Sequence, residues 1–299
     1  MPQSYEIVLR LVRVRRGSVG TVTLQVSEAP LSLFFASKQR RPMLRRCCTR
    51  CCPYAGITTV ESSRRFDERW CMHFARGQTK ISPWHLAQTA AADHPNRPML
   101  YINEIPLGTR EKLEIVTKEE YNPIRQDRVK KSNALRLFTY GDIPFNYGCL
   151  PGTWEDPSVV DGFTKCVGDG DPVDAVEISR KGLPIGSISG VRVLGALALI
   201  DEGETDWKII VAPFDDPRFQ RLTDVPSEVL DSISLWFRMY KTTDGKAPNE
   251  FAFEGRIRDA DFAMDVVTHC QRQYEDLICG KCENPGVWVP SSKEGAPKI

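Results

Sequence analysis

The chain has 299 residues, 41% apolar and 26% charged, with a net charge of +1. These figures fit one large or two ordinary globular domains with a substantial core. They exclude a chain-wide electrostatic footprint for nucleic acid or a membrane surface.

The charge is unevenly placed. Residues 1–50 hold ten Arg or Lys, including Arg13, Arg15, Arg16, Arg45 and Arg46, against Glu6 and Glu28 alone. Charges interrupt every early apolar run, so no secretory signal of the usual plan is expected. Nor does any run reach the roughly 18 apolar residues of a spanning helix. Thr21 to Val26 alternates like a short strand, without partner elements. Residues 43–66, rich in Arg, Ser and Thr, fit either an organellar transit peptide, with Met43 as an alternative start, or a basic arm. The expected compartment is cytoplasmic or mitochondrial, the matrix being favoured if this segment is a transit peptide.

The ten Cys include Cys47, Cys48, Cys51 and Cys52. Without a secretory signal they are expected as thiols. Cys48-x-x-Cys51 and Cys279-x-x-Cys282 have zinc-ligand spacing and form a Cys₄ site only if the chain ends meet; otherwise they are a leader and a solvated tail. The predicted organisation is an extension over 1–93, a folded domain over 94–282 and a tail over 283–299.

Within the domain, Tyr101 to Ile105 and Leu113 to Val116 read as strands. Turn signals follow at Asn122-Pro123 and Gly141-Asp142. Val173 to Ile178, Ile188 to Ile200 and Trp207 to Ala212 are further strands, at a density that suggests a small closed barrel. Two helices follow. Pro226 to Tyr240 places Val229, Ile233, Trp236, Phe237 and Tyr240 at helical spacing, and Asp259 to Leu277 does the same with Phe262, Val266, Val267, Cys270 and Tyr274. Gly280 is a stop for the second.

Gly168-Asp169-Gly170-Asp171-Pro172-Val173-Asp174 carries the chemistry. Three carboxylates fall within six residues, and Gly170 and Pro172 bend the chain between them. Carboxylate oxygens suit hard cations, and packing them together is unfavourable without one. An EF-hand calcium loop is excluded, because Val173 stands where a ligand is required; a solvated acidic turn is the alternative. Asp201-Glu202-Gly203-Glu204-Thr205-Asp206-Trp207-Lys208 follows an apolar strand and puts charge at a barrel rim. Glu104 and Glu114 lie in or beside earlier strands. Lys112, Arg136, Tyr147, Lys208, Tyr240 and Lys241 are interleaved with these acids, as a site for Mg²⁺ and phosphate together requires.

Residues 95–280 resemble the family I soluble inorganic pyrophosphatases of eukaryotic type. The matching stretches are Glu104-Ile-Pro106, Lys112-Leu-Glu114, Asn122-Pro-Ile124, Asn146-Tyr-Gly148, Thr153-Trp-Glu-Asp-Pro157, Gly168 to Asp174, Asp201 to Lys208, Trp236 to Lys241 and Asn249 to Phe253, in the family's order. The resemblance implies a mainly β fold with flanking helices (α+β), a five-stranded OB-like β-barrel with long excursions and two C-terminal helices. It implies hydrolysis of pyrophosphate to two phosphates with Mg²⁺, for which Mn²⁺, Zn²⁺ or Co²⁺ can substitute, in a homodimer. By the same resemblance Asp169, Asp174 and Asp206 hold a first ion, and Asp174 bridges to a second. Asp201, Asp206 and Glu114 hold further ions, and Glu104 acts through water. Asp171 takes the proton of the attacking water. Lys112, Arg136, Tyr147, Tyr240 and Lys241 bind the two phosphates; Arg136, Tyr147 and Lys208 count also as catalytic, Lys208 lying against the acidic cluster.

No Ser, Cys or His nucleophile is needed. His73, His85 and His94 precede the predicted domain, and His269 is expected on a helix surface or packed. Cys149 and Cys166 read as small buried residues. Trp154, Trp207 and Trp236 read as packing, and Glu155, Asp156, Glu202 and Glu204 as solvated acids outside the site. Two departures from the family stand out: the segment between Arg136 and Tyr147 is shorter, and Ile143 replaces a tyrosine, with Tyr140 nearby. An OB-type nucleic-acid or sugar module would want a basic groove with aromatic platforms, and acid is concentrated there instead. A catalytically dead scaffold protein remains the second alternative.

Overall fold

The computed structural model describes residues 54–86 and 98–290. Thr21 to Val26, the cysteines at 47, 48, 51 and 52, and His94 lie outside them. Fourteen elements matter here. Three N-terminal strands, β1 (Ile57–Glu61), β2 (Cys71–Arg76) and β3 (Thr79–Ile81), precede β4 (Met99–Ile105), β5 (Leu113–Ile115), β6 (Ile124–Gln126) and β7 (Asn146–Cys149). Then come β8 (Val167–Gly168), β9 (Asp174–Glu177), β10 (Ile188–Asp201) and β11 (Glu204–Pro213). Helix α1 (Ser227–Met239), strand β12 (Glu250–Phe251) and helix α2 (Ala260–Ile278) complete the chain.

Five strands close on themselves. The order β10-β4-β7-β9-β11 is completed by antiparallel pairing of β10 with β11. The fold is mainly β with two helices, as expected. The five expected strands and both helices are present, with ends shifted by a few residues. β10 and β11 are apolar on both faces because both are covered. Leu197, Leu199 and Ile210 join one cluster of buried side chains, and Ala196, Ala198, Ile209 and Val211 join another with Ala263, Val266, Val267 and Cys270 of α2. Asp259 caps α2, its carboxylate accepting the Phe262 N–H at 3.1 Å, which satisfies one of the four orphan donors of the first turn.

The domain boundary expected at residue 94 is corrected by the N-terminal strands. β2 pairs with β6 and, with β1, β3 and β5, makes a second sheet. Trp70, Met72, Phe74 and Trp84 are buried in the same cluster as Ile102 and Ile105. The transit-like segment of residues 43–66 therefore overlaps β1. His85 is buried rather than outside the fold, donating through Nε2 to the Trp288 carbonyl (3.1 Å) and accepting from the Tyr274 hydroxyl (2.7 Å), a tautomer fixed by these partners. The tail is likewise packed through residue 288, with Val287 buried in the core. Gly280, at φ +67°, ends α2 as expected, with Cys279 exposed beside it. His269 lies on the helix surface; Cys149 is buried and Cys166 half-buried.

Candidate metal and phosphate site

The acidic loop between β8 and β9 is built against the segment Leu150–Asp156. The Leu150 N–H reaches the Val173 carbonyl (2.9 Å), Glu155 N–H the Asp171 carbonyl (3.0 Å) and Gly170 N–H the Glu155 carbonyl (2.9 Å). The Trp154 indole adds a bond to the Gly170 carbonyl (2.9 Å). Gly168 permits this approach: a Cβ there would lie 2.4 Å from the Glu155 backbone. Thr153-Trp-Glu-Asp is thus a template for the loop. It also turns the Glu155 carboxylate inward, which overturns the reading of Glu155 and Asp156 as solvated acids: they are 3% and 5% exposed.

Glu155, Asp169 and Asp206 bring carboxylate oxygens within 4.8 Å of one another. Glu155 Oε1 accepts the Trp207 N–H at 3.1 Å, while its Oε2 is buried without a hydrogen-bond partner. Among the described residues neither Glu155 nor Asp169 has an ion-pair partner. Burial first, and then mutual repulsion with Asp206, holds both carboxyls well above the ordinary carboxylate range. An orphaned oxygen beside two further carboxylates is what a divalent cation would satisfy, so this donor set fits a hard cation.

β11 supplies Asp206 and, two residues on and so on the same face, Lys208. The β10–β11 hairpin turns through Glu202 and Gly203, both left-handed (φ 54° and 92°), the conformation that a two-residue turn needs. That places Asp201 and Asp206 at one rim. Lys208 donates to Asp174 (2.5 Å), to the Tyr147 hydroxyl (2.8 Å) and to Asp206. Burial opposes its charge, but Asp174 and Asp206 outweigh burial and raise the ammonium far above its usual value. Asp206 is pushed up to about 7 by burial first, with Asp174 adding and Lys208 opposing. Tyr147 also bonds Asp174, and its ring stands beside Phe145 and Phe237.

Asp171 is exposed, and its Oδ1 accepts the Thr117 hydroxyl at 3.3 Å. Crowding by protein raises its carboxyl to about 7, with Glu114 the largest charge adding to the shift and Lys112 opposing; solvent screening at this exposed site weakens the effect. A bulge in the β4–β7 pairing falls at Glu104 and re-aims its side chain, which is buried and accepts the Ile115 N–H at 2.7 Å. Glu104 thereby ties β4 to β5. Its carboxyl is raised by burial first and then by Asp174.

The cationic side has two parts. Lys112 bonds Glu114 (2.5 Å) and, with Arg136, flanks Asp127 at 3.2 and 2.8 Å. Burial would raise Asp127, but these two cations hold it below the ordinary value. At the other side Lys241 pairs with Asp201, and the Tyr240 hydroxyl lies 3.4 Å from the same carboxylate. The expected acids and bases fall into three contact groups: Lys208 with Asp174, Asp206 and Tyr147; Lys112 with Glu114 and, through Asp127, Arg136; and Lys241 with Asp201 and Tyr240, which leaves Asp201 paired away from the Glu155–Asp169–Asp206 group. Asp127 and Thr117, which the sequence does not single out, and Glu155, which it leaves outside the site, contact the same side chains. Ile143 is buried in the core, and Tyr140 packs edge-on against Trp236 (5.4 Å). Trp154, Trp207 and Trp236 are buried, as expected of packing residues.

Carboxylates interleaved with lysine, arginine and tyrosine are a donor set whose chemistry suits cations and phosphate groups together. Comparison with known proteins narrows the class. The family described as inorganic pyrophosphatase matches residues 101–275. Inorganic pyrophosphatase of Homo sapiens is 43% identical over 245 residues, 78% of this chain and 83% of that one. Inorganic pyrophosphatase 2, mitochondrial, of Mus musculus is 41% identical over 194 residues, 62% and 58% of the two chains. Among solved structures, the inorganic pyrophosphatase of Schistosoma japonicum has TM-score 0.71 and 37% identity over 79% of this chain and 87% of that one. An N-terminally truncated vacuolar soluble pyrophosphatase of Trypanosoma cruzi in complex with PPi has TM-score 0.67 and 36% identity, covering 74% and 90%. The chain belongs to the inorganic pyrophosphatase family.

Proposed function

We propose that this chain hydrolyses inorganic pyrophosphate to two phosphates in the cleft around Asp171, Asp174 and Asp206. The observation that carries the reading is the orphaned Glu155 Oε2 with carboxylate oxygens of Asp169 and Asp206 within 4.8 Å, a donor set that suits a hard cation. Glu155, Asp169, Asp174 and Asp206 would hold Mg²⁺ (Mn²⁺, Zn²⁺ or Co²⁺ being substitutes), with Asp201 and Glu114 available for ions that enter with substrate and Glu104 acting through water. When bound, such ions neutralise phosphoryl oxygens and acidify a water.

The chain's own part is positioning and proton transfer. Lys112, Arg136, Tyr147, Tyr240 and Lys241 donate to phosphate oxygens from opposite sides and orient the anhydride for in-line attack. Asp171, which is exposed, accepts the proton of the attacking water. Lys208 pairs with Asp174 and Asp206 and holds the two side chains in place. A phosphate-release assay with Mg²⁺ and pyrophosphate tests the reading, alongside thermal melting with and without Mg²⁺. Turnover together with a raised Tm is expected; absence of both would favour a scaffold protein.

A homodimer is supported by the family resemblance and is tested by light scattering. A mitochondrial location is supported by the Arg-rich, acid-free composition of residues 43–56 before β1 and by the relative named mitochondrial. Since β1 belongs to the fold, cleavage would fall before Ile57, and sequencing the native N-terminus tests this.

A further inference from the structure

Thr117 follows β5 by two residues and is 6% exposed. Its carbonyl accepts two donors, the Asn122 amide and the Trp288 N–H, each at 2.8 Å. Asn122 is fully buried and held at its other end by the Ser82 hydroxyl (2.7 Å), and Ser82 Oγ in turn accepts the His85 N–H (3.2 Å). Trp288 is fixed through its carbonyl by His85 and by its ring, which lies 5.0 Å from that of Tyr121 and 5.7 Å from that of His85. The Thr117 carbonyl is therefore held by nearby Asn122 and by distant Trp288, and both of these are braced by the Ser82–His85 segment. This fixes the backbone that carries the Thr117 hydroxyl, and the hydroxyl donates to Asp171 Oδ1 at 3.3 Å.

Asp171 stands at the exposed end of the acidic loop, where χ2 of a carboxylate is broad and nearly two-fold. We infer that Thr117 is a positioning residue for the reaction: its hydroxyl pins one oxygen of Asp171 so that the other faces the attacking water. The inference rests on the reading of Asp171 as the proton acceptor. The His85–Trp288–Thr117 chain extends the support of the site to the N-terminal strands and the C-terminal tail, both distant from the carboxylates in sequence.

Three variants test this: Thr117→Val, which keeps the shape, Thr117→Ser, which keeps the hydroxyl, and Asp171→Ala. Thr117→Val is expected to lower kcat roughly 10- to 100-fold, the range for a hydrogen bond to a charged, reacting group, with KM nearly unchanged and Tm within a few degrees of the parent. Thr117→Ser is expected to recover most of the rate. The inference is overturned if Thr117→Val turns over like the parent while Asp171→Ala is dead, or if Val and Ser are equally impaired. If Asp171→Ala itself is active, the proton acceptor has been misassigned, and the inference falls with that reading. Should Thr117→Val not fold, Thr117→Ala gives the same comparison with Thr117→Ser.

Discussion

The Lys208 ammonium lies 2.5 Å from a carboxylate oxygen of Asp174, on a side chain only 2% exposed. It also bonds Asp206. One buried lysine thus offsets two acids that would otherwise repel each other. Removing it leaves that repulsion in place until cations arrive. Lys208→Met is therefore expected to cost roughly 3 kcal/mol of stability in the presence of a chelator, and to regain much of it in Mg²⁺. Denaturant melts in EDTA and in Mg²⁺ check this; equal losses in both would mean that the lysine does not share its partners with cations.

Asp171→Ala and Asp174→Ala should each abolish most turnover, by roughly 100-fold or more, without unfolding the protein. Asp171 is exposed and its substitution leaves no cavity. Asp174 is more enclosed, and its loss frees the Tyr147 hydroxyl and Lys208, so a modest drop in Tm accompanies it. Phosphate release beside circular dichroism separates activity from folding. Near-normal turnover in either variant would remove that residue from its assigned role.

Glu155→Gln keeps the acceptor for the Trp207 N–H and removes the charge. The expected outcome is a Mg²⁺ requirement raised about 10- to 100-fold, the usual effect of altering a group that supports a metal site. Isothermal titration of the protein with Mg²⁺ gives a reading independent of turnover. Unchanged affinity would leave the orphaned oxygen without a ligand.

A chain beginning near residue 90 should not fold. It lacks Trp70, Phe74 and Trp84, all buried in the core. Each such aromatic is worth roughly 3–5 kcal/mol when truncated to alanine, and whole domains have only about 5–15 to lose. Solubility and a melting curve decide the matter, and a folded, active product would show that the N-terminal sheet is dispensable.

Burial lowers the His85 pKa from 6.5 to about 4. A proton therefore binds the unfolded chain more tightly than the folded one. This histidine's contribution is complete above pH 6.5 and is lost as pH falls from 6.5 to about 4, amounting to roughly 3 kcal/mol. His85→Phe should flatten that part of the stability–pH curve, as urea melts from pH 4 to 7 would reveal. A curve with the parent's slope would place the acid sensitivity elsewhere.

The long apolar runs made β10, β11 and the two helices legible, because burial on both faces or at helical spacing is written in the residues themselves. β2 was not: Cys-Met-His-Phe-Ala-Arg alternates weakly, and only its pairing with β6 makes it core. The acids of the Gly168–Asp174 loop announced themselves by crowding. Glu155 did not, since its burial comes from backbone bonds to a loop some fifteen residues on. Asp127 sits among Arg125 and Arg128, which suggests a local surface pair, yet its partners are Lys112 and Arg136 from elsewhere in the chain. Contacts made only in three dimensions leave no periodicity to read.

Closure of the five-strand ring bears on how the protein survives crowding in a cell. The run from Val191 to Ile200 combines high β-propensity with little charge, the composition of segments that template aggregates. In the ring β10 is hydrogen-bonded to β11 along one side, and on the other to β4 over Ile188–Val191, to Arg258 at Ala196 and to β12 over Leu199–Ile200, so that less of its backbone is offered to a second chain. Variants that loosen the β10–β11 pairing would expose an adhesive strand before they empty the catalytic cleft, and clumping rather than slow turnover would be their first symptom.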